Sequence, residues 1–151
     1  SSHVEISYAV FCLKKKKNLM GRAFKTYKPM MKKQPFEKII KESKPCKLLS
    51  GIYHFHVDLY GNFIPQSCPG YSIPLRELVH GADPGKYRVF ESLESAGISG
   101  FAKLSIEEYG YKPKEEYAGR CDLCYDMRNY LVLELGLDIP DLKPEYHYRY
   151  A

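Results

Sequence analysis

The feature that most limits what this chain can become is the placement of its cysteines. There are five in 151 residues, and four of them fall outside continuous apolar stretches. Cys121 and Cys124 are separated by two residues and stand just ahead of a periodic apolar segment that reads as a helix. Such a knuckle lets two thiolates converge on one centre. The unpaired N–H groups and partial positive charge of a helix start stabilise their charge. A tetrahedral site needs two more ligands. Cys46, in Lys-Pro-Cys-Lys, and Cys68, in Gln-Ser-Cys-Pro-Gly, sit in Pro- and Gly-broken loops on either side of a hairpin pattern. A hairpin that folds back brings both to the same end. The residues therefore point to one shared metal site made by Cys46, Cys68, Cys121 and Cys124. A redox dithiol at 121 and 124, or unrelated buried thiols, are the competing readings. Cys12, inside an apolar stretch, reads as a core residue.

The sequence begins Ser-Ser-His-Val-Glu-Ile-Ser-Tyr, with neither a basic leader nor an apolar signal core. A reducing, cytoplasmic setting is therefore expected, where dispersed thiols serve as metal ligands or catalytic groups more often than as disulfides. No run of eighteen apolar residues occurs, so no membrane span is expected. Charge is unevenly divided. Residues 1–50 carry 13 Lys and Arg against 3 Glu, whereas the rest carries 10 against 15 acidic residues. A basic segment ahead of an acidic body is either a solvated face or a contact for an acidic partner or nucleic acid.

Periodicity predicts an α+β fold: a β-hairpin and one additional strand, with several helices around the cysteine site. Val4–Leu13 reads as a strand covered on both faces, closed by four lysines at 14–17. A helix is predicted from Pro35 to about Lys44, with Phe36, Ile39 and Ile40 as its buried stripe. Alternation over residues 49–65 predicts a strand, a turn at Tyr60-Gly61-Asn62 and a short return strand. Further helices are predicted over 74–80, 85–96, 98–108 and from Cys121 to about Leu135, where Gly136 stops the last. Residues 107–119 read as loop and the tail after Pro140 as extended. His54 and His56 share one strand face with Asp58. They are expected to be partly buried and bonded to backbone or carboxylates rather than bound to metal. A nucleophile–base pair of Cys68 with either histidine is the weakest alternative.

Several segments together resemble a known family. Tyr53 to Asn62, followed by Ile64-Pro65-Gln66-Ser67-Cys68-Pro69-Gly70, is similar to the strand–turn–strand before a cluster cysteine in the auxiliary domains of radical S-adenosylmethionine proteins, of SPASM or twitch type. Gly21-Arg22-Ala23 resembles the element that joins the partial barrel to that extension. Gly119-Arg120-Cys121-Asp122-Leu123-Cys124 resembles its later knuckle. The resemblance implies an auxiliary four-iron four-sulfur cluster on Cys46, Cys68, Cys121 and Cys124, which positions substrate or relays electrons. It divides the chain into residues 1–28, the end of a partial barrel plus linker, and residues 29–151, the cysteine-rich domain. Its partner would be a radical S-adenosylmethionine core, in the same or another chain.

Two departures are specific. The chain has cysteines for one cluster rather than two, and six residues rather than four lie between Gly61 and Cys68. The Cys-x-x-x-Cys-x-x-Cys loop of the radical-generating core is missing from the sequence, so the chain by itself is not expected to cleave S-adenosylmethionine. The alternative is a zinc-binding module contacting nucleic acid or a partner protein. Four thiolates suit zinc equally, and Lys14–Lys17, Lys32 and Lys33 would meet phosphates.

Overall fold

The computed structural model describes residues 26–50, 54–65, 68, 70–81, 83, 85–143, 145 and 148. The expected strand at Val4–Leu13, Cys12, the four lysines and Gly21-Arg22-Ala23 lie outside these residues. The fold is α+β, with six α-helices and short antiparallel strands in two small sheets among the described residues.

A 3-10 turn at Lys28–Met30 leads into β1 (Gln34–Pro35) and α1 (Phe36–Lys41), followed by α2 (Lys47–Ser50). The hairpin is β2 (Phe55–Val57) and β3 (Asn62–Pro65), and β4 (Ile73–Pro74) joins on the far side of β3. Then come α3 (Leu75–Val79), α4 (Arg88–Ser95), α5 (Ile98–Tyr109), β5 (Glu116–Tyr117) and α6 (Arg120–Asn129). No helix among the described residues is long and apolar enough to cross a membrane.

The periodic apolar positions decide the packing. In α5, Ile98, Phe101, Ala102 and Ser105 are buried, at helical spacing, and α5 packs against α1, α4 and α6. In α6 and the turn after it, Leu123, Met127 and Leu131 recur every four residues and are fully buried. α5 ends in an αL cap: Gly110 takes the left-handed conformation and its N–H bonds the carbonyl of Ile106, while Tyr111 N–H bonds that of Ser105.

The structure corrects the sequence reading in four places. The stretch at 107–119 is not all loop. Glu116–Tyr117 pairs with Gln34–Pro35, and Tyr117 is buried with its hydroxyl 2.7 Å from that of Tyr111. Those two strand residues were too short a run to show period. The predicted strand over 49–65 begins instead as a helical turn, α2, at Lys47–Ser50, and pairs only from Phe55. The last helix is α only to Asn129, then widens to a π turn over Tyr130–Glu134, with both Leu131 and Val132 in the core. The tail is not simply extended. It turns at Ile139–Leu142, and Asp141 receives Ser72 N–H at its carbonyl and Phe90 N–H at its carboxylate, 2.7 Å away.

Candidate metal centre

Each cysteine is held by backbone contacts that do not involve sulfur. Gly119 has φ +148°, a conformation that only glycine adopts easily, and turns the chain into α6. Asp122, almost fully buried, accepts Ala118 N–H at 2.9 Å and the Lys28 ammonium at 2.7 Å. This fixes the start of α6. Cys121 and Cys124, three residues apart, then face the same way. Lys114 and Tyr111 both bind the Asp126 carboxylate, at 2.6 Å each, and hold the preceding loop on the same helix.

Cys46 follows α1. Its N–H bonds the carbonyl of Leu93 at 2.9 Å, and its own carbonyl receives Leu49 N–H at the start of α2. The Ser43 hydroxyl donates to the carbonyl of Ala96 and accepts Ser99 N–H, which seats the loop on the α4–α5 junction. Cys68 follows β3, its N–H bonded to the carbonyl of Pro65. Two residues on, Gly70 has φ +77° and lies against the ring of Tyr148, whose hydroxyl donates to the Gly70 carbonyl.

These separate supports bring the four cysteines to the border of one cavity. Cys46, Cys68, Cys121 and Cys124 line a single cavity of about 40 Å³. That is larger than the ~10–15 Å³ one water needs. Leu49, Leu93 and Ile98 form its apolar wall, and Lys44, Arg120 and Arg128 also border it. All four thiols are free, with Cys68 the most buried. Burial pushes the Cys68, Cys121 and Cys124 thiols up, that of Cys124 to about 12. Arg128 opposes this at Cys68 and Cys124, and Arg120 opposes it at Cys121, while the other sulfurs add to it.

Raised thiols are poor nucleophiles at neutral pH, because reactive cysteines have depressed pKa values. Neither His54 nor His56 borders the cavity. The nucleophile–base alternative therefore has no geometric support. The histidines also differ from expectation. Both are exposed, His54 just before β2 and His56 within it, their rings 4.9 Å apart and edge to face. β2 covers no core here, so nothing buries them. Asp58, expected on the same face, is taken up in its own turn, accepting N–H groups of Tyr60 and Asn62 and the Asn62 amide.

Among the described residues, no group of three or more His, Cys, Asp or Glu side chains stands close enough together to hold a metal ion. A cluster, whose iron atoms occupy separate corners, spreads its thiolates wider than one ion does. The donor set is soft, the walls are apolar, and cations stand beside the sulfurs. These residues fit a thiolate-ligated cluster.

Two participants escaped the sequence reading. Arg128 is one helical turn beyond Cys124, so the spacing 121–124–128 marks one helix face, a signal that was available. Asp122 had no such signal, because its partners Lys28 and Ala118 are recognisable only in three dimensions. Comparison with protein-family models, curated proteins and solved structures yields no match to this chain.

Proposed function

We propose that this chain is an auxiliary cluster-binding domain, in which Cys46, Cys68, Cys121 and Cys124 hold one four-iron four-sulfur cluster. The domain serves a radical S-adenosylmethionine core, in the same or a partner chain, by positioning substrate or relaying electrons. Its working environment is the reducing cytoplasm, where free thiols persist.

One observation carries this reading. Four cysteines from three distant stretches border one apolar cavity. The hairpin and the knuckle at 119–124, which carry the family resemblance, are also the segments that deliver Cys68, Cys121 and Cys124. When bound, the cluster would supply one-electron redox chemistry. The chain's own residues supply thiolates, exclude water through Leu49, Leu93 and Ile98, and place positive charge beside the sulfurs.

The deciding experiment is anaerobic reconstitution with iron and sulfide, followed by visible absorption and quantification of iron, sulfide and zinc on one sample. Matched iron and sulfide, close to four of each per chain, support the proposal. A colourless protein carrying zinc and no sulfide supports the zinc module instead. A protein that retains no metal defeats both.

A further inference from the structure

The geometry points to Arg128 as the built-in counter-cation of the four-cysteine site, a positioning residue that sets the reduction potential of the cluster. This inference rests on the cluster reading above.

Arg128 is an arginine where helix packing alone would place an apolar side chain. It lies on the buried face of α6, one turn beyond Cys124 and two beyond Cys121, and is only 1% exposed. Taking a charge out of water costs several kcal/mol, and an arginine cannot escape the cost by losing its proton. The surrounding contacts hold the guanidinium in a fixed position. Its carbon stands 5.5 Å from the ring centre of Tyr125 and 5.9 Å from that of Tyr148, and those two rings stack on each other at 6.0 Å. Arg128 borders the same cavity as Cys68, and its charge acts on the Cys68 thiol and on Tyr148. Tyr148 in turn bonds the Gly70 carbonyl, two residues from Cys68. A chain of contacts therefore ties the cation to the loop that presents one sulfur, while the helix ties it to two others.

Four thiolates leave a bound cluster net negative, and reduction makes it more so. A buried cation beside the centre favours the more negative state. Net charge and hydrogen bonds to sulfur are established levers on cluster potential. The reduction adds one electron from an external low-potential donor, breaks no bond and leaves Arg128 protonated throughout.

The test uses the full chain and its Arg128→Met and Arg128→Lys variants, each reconstituted anaerobically with iron and sulfide. Iron and sulfide are quantified, and the midpoint is read by dithionite titration with paramagnetic resonance and visible absorption. Arg128→Met is expected to load and to be harder to reduce by at least tenfold in the equilibrium, about 59 mV for one electron. Arg128→Lys keeps the charge but loses the fork, and should fall between. A loaded Met variant with the wild-type midpoint overturns the inference. Should the Met variant fail to fold or load, an Arg128→Gln variant, which removes the charge but keeps N–H donors, decides: a lowered midpoint supports the inference and a wild-type midpoint overturns it. A wild-type protein that takes up neither iron nor sulfide overturns the cluster reading itself, and this inference with it.

Discussion

Gly97 sits directly beneath the carbonyl of Lys44: a Cβ at position 97 would lie 2.0 Å from that oxygen. Gly97 also has φ +70°, so its lack of a side chain serves twice. It permits the tight α4–α5 junction, and it lets the loop carrying Cys46 lie flat against it. Gly97→Ala should cost at least about 2 kcal/mol, from the left-handed backbone and the overlap together. That corresponds to a melting temperature lower by about 4–8 °C for a chain of this size. Thermal unfolding by circular dichroism checks this, and metal content should fall in the same variant.

Serine at each of positions 46, 68, 121 and 124 should lower iron and sulfide content, and the Cys121→Ser, Cys124→Ser double variant should abolish it. Cys12→Ser should leave the content unchanged, because that cysteine is read as a core residue. Metal bound only to the folded chain stabilises it by mass action. The loaded wild type should therefore melt higher than the metal-free form, and the double variant should show no such gain. Equal metal content in all five single variants would remove the shared site.

Asp122 lies between the two late cysteines but faces away from their task, accepting Ala118 N–H and the Lys28 ammonium. Asp122→Ala leaves a backbone donor unsatisfied, at about 1–3 kcal/mol. The ion pair to partly exposed Lys28 adds little after solvent screening. Urea unfolding should show a loss of about 2 kcal/mol, and Asp122→Asn, which keeps an acceptor, should lose less.

Asp141 is fully buried, and burial raises its carboxyl from 3.8 to about 6, although Phe90 N–H and Arg128 pull the other way. The folded state thus holds a proton that the unfolded chain has released between about pH 4 and pH 6. Its contribution is fully present below pH 4, declines as pH rises through that window, and is flat above it. The swing is about 3 kcal/mol at most, from roughly two pKa units. Denaturant unfolding of wild type and Asp141→Asn across pH 4–7 isolates it, because Glu77 and Glu108, whose pKa values are lowered by Lys86 and Arg88, titrate alike in both. A stability difference between the two proteins that stays constant with pH would show that Asp141 does not titrate in this range.

Much of the local structure was legible because it obeys short-range rules. Phe36, Ile39 and Ile40 gave α1, and Phe101 and Leu104 gave α5. Tyr60-Gly61-Asn62 marked the turn that Gly61, at φ +77°, makes. The four cysteines stood out because Pro and Gly flank two of them and a helix start follows the other pair. Pairings between distant residues were not legible. Gln34 finds Tyr117, Asp141 finds Phe90, and Ser43 finds Ala96 and Ser99, through surfaces that only packing creates.

By itself, then, the sequence determined which side chains could ligate and which segments would be helix or hairpin, since both depend on residue type and near neighbours. Only the tertiary structure decided that sulfurs from three separate stretches face one cavity, that His54 and His56 stay outside it, and that an arginine cation is enclosed beside it. The reason is that burial and proximity depend on which distant surfaces pack together, and no local pattern encodes which surfaces will meet.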